Sequence, residues 1–214
     1  MRRAKNSLPL VVLCLLGAAS VGICPWAGAT PLADAKALYN AKKYPEARLI
    51  LEPLAAAEPN NSSAAFYLGM TLYRQGGAAS LDSAKLWLGK AVKLAPDDSG
   101  FLAEYAGVCL LMADRDSSFS LALEGRDGMT RAIAENPDDF EAREGLMRFY
   151  AKAPWPLGDT PRAFQMAAYI AAKDPRRGAD DYRSLADTLR KAGHADDANS
   201  ASKLAQSLAP AQPH

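Results

Sequence analysis

Small and apolar residues recur along this chain at helical spacing, in stripes separated by short polar breaks. One stripe reads Ala65, Leu68, Gly69 and Leu72, another Leu102, Tyr105, Ala106 and Cys109, and a third Tyr182, Leu185, Ala186 and Leu189. Each follows i, i+3, i+4, i+7, the pattern of a helix that buries one face. After a turn comes a second stripe, as in Ala84, Leu88 and Ala91 or Ala163, Ala167 and Ile170, closed by Pro96 and Pro175. A proline cannot continue a helix, because it lacks the N–H and its ring clashes with the preceding turn. The pattern predicts paired helices, with small residues on both stripes that let the partners approach closely.

The pairs repeat along the chain. A small residue stands twelve positions before a proline five times, at Ala47 and Pro59, Ala84 and Pro96, Gly125 and Pro137, Ala163 and Pro175, and Ala198 and Pro210. Pro59, Pro96 and Pro137 are each followed ten positions later by Gly69, Ala106 and Met147, and Pro175 is followed after eleven by Ala186. Successive units lie 35 to 41 residues apart. A fixed internal spacing within a longer period is the signature of stacked supersecondary units, in which each unit buries its apolar face against the next.

On these residues the chain resembles the tetratricopeptide repeat, a helix-turn-helix unit of about 34 residues with the pattern W-x2-L-G-x2-Y…A-x3-F…P. The second unit matches as Ala65-x2-Leu68-Gly69-x2-Leu72, then Ala84-x3-Leu88 and Pro96. Gly125 and Met147 depart from the usual alanine and glycine, and Ser202 from a larger packing residue. The resemblance implies an all-α fold, a right-handed α-solenoid of about five repeats over residues 30–61, 62–98, 99–139, 140–177 and 178–210, with a disordered tail at 211–214. It also implies a surface for binding rather than a catalytic pocket.

Three units are longer than the ideal. Gly69 to Ala84 spans 15 residues, Ala106 to Gly125 spans 19 and Met147 to Ala163 spans 16, against twelve from Ala35 to Ala47 and from Ala186 to Ala198. The excess is expected to form three enlarged turns along one edge, that of the third repeat over Asp114–Ser120 and that of the fourth repeat over Ala153–Thr160. Thr160 before Pro161 reads as a helix N-cap and first-turn proline. Trp155, held between Pro154 and Pro156, either folds back over the helix pair as a lid or offers its large aromatic surface to a partner.

At the front, Arg2, Arg3 and Lys5 precede an apolar run from Leu8 to Cys24, and Ala27-Gly28-Ala29 supplies small residues for signal cleavage. This reads as a signal peptide over residues 1–29, which makes the protein periplasmic or secreted. An uncleaved membrane anchor is the alternative, and Val21-Gly22-Ile23-Cys24 approaches a lipoprotein signal except for the bulky Ile23. Thr30 before Pro31 reads as the cap of the first mature helix.

Without that segment the balance becomes 22 Lys and Arg against 24 Asp and Glu, a net charge of −2. No basic excess remains to hold phosphates, which argues against nucleic acid. Only Cys109 is left of three cysteines, so no intrachain disulfide forms, and its place in an apolar stripe suggests a buried filler. His194 and His214 stand without partners at recognised metal-ligand spacing, no nucleophile motif or phosphate loop occurs, and no cofactor is called for. Asn60 and Asn61 open formal glycosylation sequons but also fit an inter-repeat turn. The chain reads as a non-enzyme.

The resemblance places a ligand on the concave face, along first-helix residues that point away from the buried stripe. By register these are Lys36, Tyr39 and Asn40, then Met70, Tyr73 and Arg74, then Leu110 and Leu111, then Arg148 and Lys152, and Arg190. Such a groove is aromatic and apolar first and basic later, which suits a peptide with a hydrophobic anchor followed by acidic residues. Some family members hold a peptide C-terminus with a lysine and asparagine clamp, but Leu32, Tyr67, Gly100 and Glu104 occupy those places here. The last unit, with Ala201, Leu204 and Leu208 and no further capping helix, raises the expectation of a homodimer through the C-terminal repeat. The combined expectation is a protein-binding scaffold in a bacterial cell envelope. A membrane-anchored accessory subunit and a small-molecule or lipid carrier are the alternatives.

Overall fold

The computed structural model describes residues 30–154 and 156–208. They form ten α-helices: α1 (Pro31–Asn40), α2 (Tyr44–Ala57), α3 (Ser62–Gln75), α4 (Ala78–Leu94), α5 (Ser99–Asp116), α6 (Phe119–Glu135), α7 (Phe140–Lys152), α8 (Thr160–Lys173), α9 (Pro175–Lys191) and α10 (Ala195–Leu208). Each helix packs on its neighbours in sequence, giving an all-α solenoid of five helix-turn-helix repeats. The odd-numbered helices also touch one another in an unbroken series, whereas among the even-numbered ones only α8 and α10 do so. The odd helices therefore follow the shorter, inner arc and the even helices the outer one.

The predicted stripes are the core. Ala47, Leu68, Ala84, Leu88, Ala91, Ala106, Cys109, Ala163, Ala167, Ile170, Leu185 and Leu189 are all fully buried. One cluster centred on Leu51, Leu68 and Ala84 serves the first two repeats, and a larger one from Leu102 to Ala205 serves the last three. Met70, Leu88, Val108 and Met112 pack together at the seam between them.

Short polar side chains start the helices. The Asn61, Asp98 and Asp139 carboxyl or amide oxygens accept from the N–H groups of Ala64, Phe101 and Ala142 at 3.0, 2.9 and 2.9 Å, satisfying donors that the first turn leaves unpaired. Thr30 caps α1 in the same way, through Ala33 N–H at 3.3 Å. At α8 the cap is Asp159, which accepts from Arg162 N–H at 3.0 Å, so Thr160 and Pro161 are both already helical and the helix begins one position earlier than the sequence suggests. Pro175 does not close α8. It opens α9, and Asp174 alone joins the two helices, accepting from both Arg176 and Arg177 N–H at 3.0 Å.

The enlarged units are resolved differently from the expected three loops. α5 has 18 residues and α6 and α4 have 17, against 14 in α2, α3, α8 and α10. Asp114 is thus in the last turn of α5 and Ser120 in the first turn of α6, with only Ser117 and Ser118 between the helices. Ser117 adopts the left-handed conformation, φ 51°, that ends α5, and Ser118 caps α6. Of the three, only the α7–α8 connection is a true loop. No helix among the described residues is long and apolar enough to cross a membrane.

Candidate functional site

The longer third repeat and the α7–α8 loop together wall a cavity of about 810 Å³ on the inner arc, between α5 and α7. Its floor is made where side chains are missing. Gly107 of α5 and Gly145 of α7 flank Met129 of α6, whose Cε lies 3.7 Å from where a Gly107 Cβ would stand and 2.6 Å from a Gly145 Cβ. At Gly145 the methionine fills the gap, and at Gly107 space remains. The last turn of α5, the first turn of α6 with Phe119, and Ala153, Pro154 and Leu157 of the loop form the upper wall. The volume lies within the range of about 300–1,000 Å³ in which proteins hold ligands.

Leu111 and Phe119 line the cavity with 43% and 58% of their surface exposed. A leucine and a phenylalanine left half open on one cavity wall are an unusual pair, since single exposed apolar residues are scattered on any protein.

Six of the residues expected on a concave binding face converge here: Tyr73, Arg74, Leu110, Leu111, Arg148 and Lys152. Lys36, Tyr39 and Asn40 do not line the cavity. Lys36 places its ammonium 4.8 Å from the Tyr67 ring centre, and Tyr39 packs between Tyr44 and Tyr67 at 5.6 and 5.5 Å. This aromatic group ties α1 to α3 and is structural. Met70 is 2% exposed and belongs to the seam with Leu88, Val108 and Met112, so it is not a groove residue. The register count placed it one step too far round the helix, on the side that meets the next repeat. Trp155 lies outside the described residues.

The electrostatics also differ from the basic groove expected. Lys152 is bonded to Asp114 across the cavity mouth. Arg148 lies 3.9 Å from Glu144, which also takes the guanidinium of Arg177 from α9 at 2.7 Å. Glu104, Glu141 and Glu144 line the same wall and were not among the predicted binding residues. Burial first, and then the nearby Glu141 charge, hold the Glu104 carboxyl above its usual range although Arg74 pulls the other way. Just beyond, Asp181 of α9 is 6% exposed, and its Oδ2 has no hydrogen-bond partner among the described residues. Burial and the Glu144 charge push its carboxyl up to about 6.

Cys109 lies on the buried face of α5 and does not line the cavity. Burial, with the charge of Glu124, raises its thiol to about 11. His194 is exposed in the α9–α10 turn. The two do not form a nucleophile and base.

No protein-family model matches the chain. No curated protein matches it either. Among solved structures, MamA superposes with a TM-score of 0.63 over 81% of this chain and 93% of its own, at 19% identity. YrrB, a TPR protein with an unusual peptide-binding site, gives 0.63 over 85% and 86% at 16% identity. TTC0263, a thermophilic TPR protein of Thermus thermophilus, gives 0.62 over 85% and 91% at 18%. The fold is a tetratricopeptide-type solenoid. At such identities the likeness concerns the path of the helices, and the cavity of this solenoid must be read from its own side chains.

Proposed function

We propose that the protein is a non-catalytic adaptor that holds a peptide or protein segment in the cavity between α5 and α7. The observation that carries this is the pairing of a preformed hollow at Gly107 with two half-exposed apolar residues, Leu111 and Phe119, on its wall. Other exposed large apolar residues, such as Leu49 and Leu86, lie outside the cavity, whereas these two share its wall, where a partner's side chain would cover both. The structurally similar YrrB has a peptide-binding site, which agrees with use of the solenoid as a binding scaffold.

A place in the cell envelope follows from residues 1–29, whose basic, apolar and small segments suit export. Thr30 caps the first described helix, in keeping with a cut after Ala29. Protein recovered from the periplasm with Thr30 as its first residue supports this placement, and retention of the intact N-terminus in the membrane supports the anchored alternative. Self-association through the last repeat would use Leu204, 40% exposed on α10, and is checked by sedimentation.

The groove itself is tested by selecting a random displayed peptide library on the full-length protein, with Gly107→Phe as counter-screen. The phenyl ring fills the hollow without replacing any buried group. Peptides enriched on the native protein and lost on Gly107→Phe and on Leu111→Ser are expected. Enrichment that neither substitution changes overturns the assignment.

A further inference from the structure

Of the charged groups lining the cavity, two of the three cations are held in ion pairs. Lys152 holds Asp114, and Arg148 shares Glu144 with Arg177. Arg74 lies over the Tyr73 ring, 5.2 Å from its centre. Against the single cation Arg74, whose charge acts on Glu104, stand two carboxylates, Glu104 on α5 and Glu141 on α7, which line the cavity and have no ion-pair or hydrogen-bond partner among the described residues. Glu104 is partly buried there.

From this we infer that the cavity takes a peptide segment in which a lysine or arginine stands beside an apolar anchor, the cation lying between Glu104 and Glu141 and the anchor on Leu111 and Phe119. The inference rests on the assignment of the cavity as a peptide site and names what that site selects. Glu104 is partly buried and Glu141 exposed, and the Glu141 charge acts on Glu104, so a cation between them relieves both the repulsion and the cost of burying Glu104. An ammonium or guanidinium brings several donors to a pair of acceptor-only groups. A hard divalent ion fits less well, since it needs about six oxygen ligands and the other carboxylates of the wall, Asp114 and Glu144, are already held by Lys152, Arg148 and Arg177. Burial and the Glu141 charge outweigh the pull of Arg74 on the Glu104 carboxyl, which leaves room for a second cation. The sign is opposite to the acidic ligand expected from the sequence.

The peptides recovered in the library selection decide the matter. Those that depend on Gly107 are expected to carry Lys or Arg next to Leu, Phe or a similar residue. With the best of them as a synthetic probe, the Glu104→Gln/Glu141→Gln variant is expected to bind about 10- to 100-fold more weakly. Replacing the peptide's lysine or arginine by glutamine should weaken binding similarly, and the two changes together should cost little more than either alone. Neither glutamate holds another side chain of the described fold, so the variant keeps its structure, as circular dichroism will check. Groove-dependent peptides that are acidic or uncharged, or an affinity unmoved in the double variant, overturn the inference and leave the groove assignment standing. Selection of no peptide that depends on Gly107 overturns both.

Discussion

Gly178 of α9 is pressed against Ala171 of α8 so closely that a Cβ on the glycine would lie 2.3 Å from the Ala171 Cα and 2.4 Å from its Cβ. The cause is the connection between the helices, a single Asp174 that ends one and caps the other. Backbone cannot retreat as a flexible side chain can, so Gly178→Ala must push α8 and α9 apart. A cost of about 2–3 kcal/mol is expected, seen as a melting temperature lower by roughly 5–10 °C. Gly107→Ala is the matched control. Its new methyl meets only Met129 Cε at 3.7 Å, and gain of helix propensity should raise stability by up to about 1 kcal/mol.

Arg143 holds the turn between the third and fourth repeats. It is 8% exposed, donates from Nε and from a terminal nitrogen to the Pro137 carbonyl at 2.9 and 2.8 Å, and stacks 3.5 Å from the Tyr169 ring centre. Arg143→Met is expected to cost about 1.5–3 kcal/mol in chemical denaturation, because the carbonyl loses a charged donor. Arg143→Lys should recover less than half of that loss, since an ammonium offers neither the fork nor the flat face.

Stability should depend on pH through Asp181. Its carboxyl is pushed up to about 6 in the fold by burial and Glu144, against about 3.9 in an unfolded chain. Below pH 4 both states bind the proton and the residue costs nothing. As pH rises through 6 the native state must give up a proton it holds more tightly, so the stability present at low pH is lost. Asp181→Asn, which resembles the protonated form, should therefore stabilise the protein by an order of 1–3 kcal/mol at pH 7.5 and by almost nothing at pH 4. Paired thermal melts at the two pH values check the sign.

Cys109 is expected to be chemically silent while the protein is folded. The thiol is fully buried and raised to about 11, so at pH 8 both access and thiolate are scarce. Labelling by a thiol reagent should be at least about 100-fold slower than for a free cysteine, and should reach one group per chain only on unfolding. Rapid native labelling would show that α5 opens.

Much of the fold was legible because close helix packing needs small residues at fixed places. Gly69 is the clearest case: a methyl there would meet Leu88 Cγ at 2.8 Å, and the sequence singles it out as a repeat position. Gly178 imposes a tighter contact and left no sign, since it falls outside the repeat pattern. The inserted residues were legible in place but not in form. Excesses of three and seven are close to one and two helical turns, so they lengthen α4, α5 and α6 without rotating the buried stripe off the core. The fourth repeat has a similar excess, but Pro154 and Pro156 forbid a helix and a loop results. Register alone placed Arg148 and Lys152 on the inner face. It could not pair Lys152 with Asp114 of the preceding repeat, and it noted Glu104 only as the absence of a clamp residue. The sign of the cavity was lost in that step.

Leu111 and Phe119 separate the needs of folding from those of binding. With 43% and 58% of their surface already in water, they contribute little to the core, and Leu111→Ser/Phe119→Ser should change stability by no more than about 0.5 kcal/mol per site. If the cavity holds a peptide, the same two side chains lie at the centre of the contact, where truncation of a buried anchor commonly costs about 2 kcal/mol, or about 30-fold in affinity. The double variant is therefore expected to melt within about 2–4 °C of the native protein and to lose a selected peptide at least about 30-fold. A large drop in melting temperature would place both residues in the fold instead, and unchanged peptide affinity would remove the apolar wall from the binding site.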